Sequence, residues 1–164
     1  MPLSNKLAAL ALAISDASIS TSDDLAPTAI AALISIKNSE PLSIGDIATV
    51  TGLTHSAAVR LVDRLEKDWL VRRQRRVGRE VLVEITTRGR RRAQQLQEAR
   101  ESAAKTFLSA LEQREQDQLA ELIDKVIHQK AHEGLNVLRF CRMCKVGQCN
   151  CGLHQDEAPA TDHA

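Results

Sequence analysis

The chain of 164 residues is 43% apolar and 26% charged, which suits one domain, or one domain with an extended arm, and excludes wholesale disorder. Only Trp69, Phe107 and Phe140 are aromatic, so the core must be aliphatic and helix-favouring. The net charge of +1 conceals a split: residues 60–92 hold twelve Arg and Lys against five acids, whereas 1–59 and 93–135 each stand at −3. No apolar run approaches the roughly 18 residues of a membrane span. Lys6 and the apolar stretch around it are not followed by a small-residue cleavage site, so a soluble cytoplasmic protein is expected.

Leu3, Leu7, Leu10 and Ile14 form one stripe of an amphipathic helix with no obvious cover in the chain, which asks for a partner. Ser18 to Asp24 break it. Pro27 fits the first turn of a second helix, carried to about Asn38 by Ile30, Leu33, Ile34 and Ile36. Ser43 and Asp46 make a capping-box start, Ile47, Ala48 and Val50 supply the apolar face, and Gly52 suits a left-handed exit. Thr54 then caps a helix whose Ala58, Leu61, Val62 and Leu65 share one face. Helix, glycine-containing turn and helix is the helix-turn-helix pattern. The opposite face shows His55, Ser56, Arg60, Arg64 and Lys67, side chains able to hydrogen-bond base edges and phosphates.

After Trp69 the period changes to two. Residues 71–75 and 81–85 are expected as two strands joined by Arg76-Val77-Gly78-Arg79, with Val81, Val83 and Ile85 on one face. Arg75, Arg76 and Arg79 crowd the tip. A ribbon of two strands is marginal alone and must pack on the helices, giving a winged helix-turn-helix. From Thr87 to about Leu138 two long helices are expected. The first is carried by Ala93, Leu96, Ala103, Phe107, Leu108 and Leu111, the second by Leu119, Leu122, Ile123, Val126 and Ile127. Glu112 to Asp117 is expected as the joint between them. Their apolar surface again asks for a second copy of the chain.

The stretch from Leu42 to Gly89 resembles the MarR family of bacterial transcription regulators. The likeness is carried by Ile44-Gly45-Asp46-Ile47-Ala48, Val62-Asp63-Arg64-Leu65-Glu66, Leu70-Val71-Arg72-Arg73 and Val83-Glu84-Ile85-Thr86-Thr87-Arg88-Gly89. The resemblance implies a homodimer with interlocked terminal helices, a recognition helix in the major groove and a wing reaching the minor groove. It also implies a pocket for a small-molecule effector, which no residue here identifies. The fold class expected is mainly α with a small β-hairpin wing. Its divisions are a dimerisation helix at 1–24, the DNA-binding lobe at 25–90, further dimerisation helices at 91–138, a cysteine-rich segment at 139–154 and a disordered tail at 155–164. Two departures stand out. The family usually has Gly where this chain has Trp69, and Trp in a left-handed conformation costs roughly 1–2 kcal/mol, so the helix is expected to end differently. The wing usually carries an Asp before its Arg, where this chain has Gly78 before Arg79.

Function follows as an expectation: a dimeric, sequence-specific DNA-binding transcription regulator, a repressor, on a pseudo-palindromic double-stranded operator. Ser56 and Arg60 are expected to read bases, with Thr54 and His55 as further DNA contacts. Arg64, Arg73 and Arg75 hold phosphates, Arg79 enters the minor groove, and Arg76 is a further DNA-contact candidate at the wing tip. Alternatives are a weakly specific architectural DNA binder and a metal- or electron-carrying dimer. No phosphate loop, Ser-His-Asp set or paired carboxylates mark an enzyme, and Asp23-Asp24 is read as a helix start.

All four cysteines fall within eleven residues, as Cys141, Cys144, Cys149 and Cys151 in C-x2-C-x4-C-x-C, with His154 a further candidate ligand. Stable disulfides do not suit a cytosolic chain. Metal ligation, as Zn²⁺ or an iron–sulfur cluster such as [2Fe–2S], fits soft ligands so closely spaced. An unmetallated redox thiol set is the alternative. The run is similar, in reversed order, to the cluster-binding run of SoxR-type regulators, which inclines the choice toward iron–sulfur. The segment is expected to sense metal or redox state and to act through the last dimerisation helix. His128 and His132, four apart on that helix, are read as facing solvent.

Overall fold

The computed structural model describes residues 2–19, 25–74, 80–145 and 153. Helix α1 (Leu3–Ile19) leads to α2 (Pro27–Asn38), which has proline in its first turn and buries every residue from Ala29 to Ile36. A helix buried all round belongs at the centre of a core. Around it pack α3 (Ile44–Thr51) and α4 (His55–Lys67), through Ile44, Ile47, Ala48, Leu61, Val62 and Leu65.

The local signals operate as the sequence dictates. Ser43 Oγ accepts from the Asp46 amide at 3.1 Å while the Asp46 carboxylate accepts from the Ser43 amide at 3.1 Å, closing the capping box. Gly52 turns left-handed at φ 71°, with the Leu53 amide donating to the Ala48 carbonyl at 3.0 Å. Thr54 Oγ1 accepts from the Ala57 amide at 3.3 Å and starts α4.

The end of α4 corrects the expectation for Trp69. Trp69 itself takes the left-handed position, at φ 59°. The Leu70 amide donates to the Leu65 carbonyl at 2.9 Å and the Trp69 amide to the Glu66 carbonyl at 3.0 Å. This is the closure used at Gly52. Its reason is tertiary: reversing the chain there drops Leu70 into the core beside Leu65 and lets the next strand begin one residue later. The cost of about 1–2 kcal/mol is offset by those bonds, and the Trp69 side chain stays 74% exposed.

The sheet has three strands where two were expected. Strand β1 (Leu42–Ser43) joins β2 (Val71–Arg73) and β3 (Leu82–Ile85) in the order β1-β3-β2, all antiparallel. Two residues show no alternation, so β1 left no pattern to read. Val71 pairs with Ile85 and Leu42 with Val83, which turns Val71, Val83 and Ile85 into the core. The expected wing tip, including Arg75, Arg76 and Arg79, lies outside the described residues.

Helix α5 (Thr87–Leu108) is anchored where the sheet meets α4. Thr86 Oγ1 accepts from the Gly89 amide at 2.9 Å, and the Thr86 amide donates to the Leu70 carbonyl at 3.1 Å. Gly89 lies so close that a Cβ built on it would come 1.9 Å from the Leu70 carbonyl oxygen. Glu40 ties the same corner, accepting from the Ile85 amide at 3.2 Å and pairing with Arg90.

The second long helix is shorter than expected. Helix α6 (Gln113–His132) begins at its cap Glu112, so the expected joint from Glu112 to Asp117 is largely helix. The chain then turns at Gly134, and α7 (Val137–Phe140) is separate. None of the residues of α6 is buried: Leu122 is 61% and Val126 59% exposed. Helix α1 does find cover within the chain, packing along α5, yet Leu3, Leu7, Leu10 and Leu12 remain exposed.

Candidate nucleic-acid interface

Helix α4 divides cleanly. Ala58, Leu61, Val62 and Leu65 are buried, whereas Thr54, His55, Ser56, Arg60, Arg64 and Lys67 are exposed. Thr54 Oγ1 and Ser56 Oγ lie 3.3 Å apart at the helix start, and Arg64 Nε donates to the Arg60 carbonyl at 3.4 Å. Among the described residues, no carboxylate pairs with Arg60 or Arg64. The result is a rigid helix presenting hydroxyls, an imidazole and unneutralised guanidinium groups along one side. That is the chemistry that reads base edges and grips phosphates.

Arg73, expected among the phosphate contacts, is engaged inside the lobe. Its guanidinium meets Asp63 at 2.6 Å and also Glu66, and its amide donates to Glu66 Oε1 at 2.9 Å. Burial opposes the charge of Arg73, but the hydrogen bonds and charges of Asp63 and Glu66 outweigh it and raise the pKa. The side chain therefore joins the wing base to the back of α4 and fixes one against the other. Asp63 and Glu66, a turn apart on α4 within a basic block, were the sequence signal for this clamp. Arg72 instead extends to solvent and pairs with Glu84 across the ribbon at 2.9 Å.

The start of the cysteine-rich segment returns to the lobe rather than trailing from α6. Cys141 is 3% exposed and Cys144 half-buried, one turn apart, the Cys144 amide donating to the Cys141 carbonyl at 2.9 Å. Cys149, Cys151 and His154 lie outside the described residues. Among the described residues, no group of three or more His, Cys, Asp or Glu could hold a metal ion, and His128 and His132 are exposed. No described helix is long and apolar enough to cross a membrane.

A three-stranded winged helix-turn-helix with an exposed basic recognition helix defines a DNA-binding fold. Residues 23–80 match the model of the MarR family. MepR, a transcription regulator of the Staphylococcus aureus multidrug efflux pump MepA, superposes with a TM-score of 0.70 at 17% identity, covering 79% of this chain and 98% of its own. A MarR family protein from Bacillus stearothermophilus gives 0.71 at 22% identity, over 79% and 93%. Apo wild-type MarR from Escherichia coli gives 0.65 at 21%, over 77% and 97%. No curated protein matches the sequence significantly. Residues 23–80 thus match the MarR family model, and these solved structures share the fold of the chain.

Proposed function

We propose that the protein is a dimeric repressor that binds a pseudo-palindromic operator and responds to metal or redox state through its cysteines. The observation that carries the reading is the exposed side of α4, where Ser56, Arg60 and Arg64 stand on a helix locked from behind by the core and by Arg73. Ser56 and Arg60 read bases and Arg64 holds a phosphate. The exposed apolar stripes of α1 and α6 are the surfaces on which two copies join. Two-fold symmetry then sets the half-sites about one helical turn, roughly 34–36 Å, apart.

Gel shifts with genomic fragments test this. Arg60→Ala should relax specificity at one position of each half-site by roughly 1–3 kcal/mol. Arg64→Ala should weaken all sequences alike and lower the salt slope by about one. Equal, uniform losses in both variants would refute the assignment of the reading side. Binding without sequence preference would mark an architectural binder, and no binding a metal or electron carrier. The four closely spaced thiols suit a [2Fe–2S] cluster or Zn²⁺, and the colour and metal content of protein purified without oxygen decide between them. Cys141→Ser with Cys144→Ser should abolish any response of DNA affinity to oxidant or chelator.

A further inference from the structure

The residues that follow α6 are built into the DNA-binding lobe by contacts with four of its parts. The Arg139 guanidinium lies over the turn of the helix-turn-helix, so close that a Cβ on Gly52 would come 2.8 Å from it. Leu138 and Cys141 face a cavity of about 290 Å³ whose other walls are the end of α2 and the outer side of α3, among them Asn38, Asp46 and Val50. The Ser35 hydroxyl lies 3.2 Å from the Arg142 carbonyl. The Cys144 carbonyl accepts from Asn38 Nδ2 at 2.9 Å and from Gln97 Nε2 at 2.8 Å. Met143 packs against the core, and Lys145 pairs with Glu101 on α5.

From this geometry we propose that residues 137–145 form a clasp that braces the helix-turn-helix, with Cys141 as a thiol site that opens only when the clasp lifts. The inference deepens the sensor reading above and gives its route: the signal enters at α2, α3 and α5 directly, not through α6. At 3% exposure, Cys141 cannot meet a thiol reagent or a thiophilic metal ion in place. Lifting it uncovers Gln97, itself 3% exposed, and takes away the partner of two side-chain amides at the Cys144 carbonyl. An unsatisfied buried donor is costly, so docked and lifted states form a two-state element. The docked state holds Arg139 against the turn that sets α4 relative to α3, which makes it the DNA-binding state. Coupling is reciprocal: whatever captures Cys141 weakens DNA binding, and DNA protects Cys141.

The test is the rate of alkylation by iodoacetamide at each cysteine of the reduced full chain, read by peptide mass spectrometry. Cys141 should react at least about tenfold more slowly than Cys144. Asn38→Ala, which removes one grip on the Cys144 carbonyl, should accelerate Cys141 several-fold. Glu101→Gln, at the partly exposed pair with Lys145, should do so more weakly without threatening the fold. A saturating duplex, enriched by this protein from a random-sequence pool, should slow Cys141 by a further factor in the usual coupling range of about 5–150. Reaction of Cys141 as fast as Cys144, or rates unmoved by both variants and by the duplex, would overturn the clasp. If no duplex can be enriched, the repressor reading falls, while the rates without DNA still decide the clasp.

Discussion

Helices α2 and α6 both carry aliphatic residues at helical spacing, yet α2 buries eight successive residues and α6 buries none. The contrast shows what an apolar stripe can and cannot say. It states that a face must leave water, and says nothing about what will cover it. For α2 the cover is the rest of the lobe: α3, α4, α5 and the sheet close on it from all sides. For α6 nothing among the described residues does so, and its stripe stays exposed.

The contrast can be broken most forcefully at its buried end. Leu33→Ala, at a fully buried position of α2, should cost about 2–5 kcal/mol in urea unfolding. Leu122→Ser on α6 should instead leave the unfolding of the lobe nearly unchanged and lower the association constant in sedimentation. If Leu122→Ser destabilised the chain as much as Leu33→Ala at every concentration, α6 would have its cover within one chain. Gly89→Ala should be next in size, about 1–3 kcal/mol, because the new Cβ meets a backbone carbonyl that cannot swing aside. Thermal melting of that variant reads the tightness of the α4–α5 corner.

Smaller effects sharpen the comparison. Trp69→Gly should stabilise the lobe by about 0.5–1 kcal/mol, since the left-handed strain of roughly 1–2 kcal/mol is partly offset by the greater freedom of glycine when unfolded. A loss of stability instead would mean that the exposed indole contributes packing. Last comes Glu101, whose carboxyl is held down to about 2 from 4.5, first by Lys105 and then by Lys145. A depressed carboxyl stabilises above its unfolded pKa, so this contribution should be whole above about pH 4.5 and fade as pH falls toward 2. A carboxyl NMR titration checks the midpoint, and Lys145→Ala should move it upward.

Legibility followed the range of the interactions. The capping box at Ser43, the left-handed Gly52, the Thr54 cap, Pro27 and the exposed basic side of α4 were all readable. Each is decided by residues within a turn or two of one another. Strand β1 was not, because two residues carry no period and only β3 makes them a strand. Trp69 was misjudged for the complementary reason. A local penalty was visible, while the need to bring Leu70 back beside Leu65 was not.

The candidate site divides in the same way. The sequence by itself determined the helix-turn-helix, the side of α4 that faces outward and the clustering of the cysteines, because periodicity and caps act through neighbouring residues. Tertiary structure alone decided that Arg73 clamps Asp63 and Glu66, and that Glu40 fastens β3 to α5. It alone brought Cys141 and Cys144 onto the lobe, through contacts such as that of Ser35 with Arg142, 107 positions away. Those pairings depend on which surfaces meet once the aliphatic core has closed, and no spacing along the chain encodes that distance.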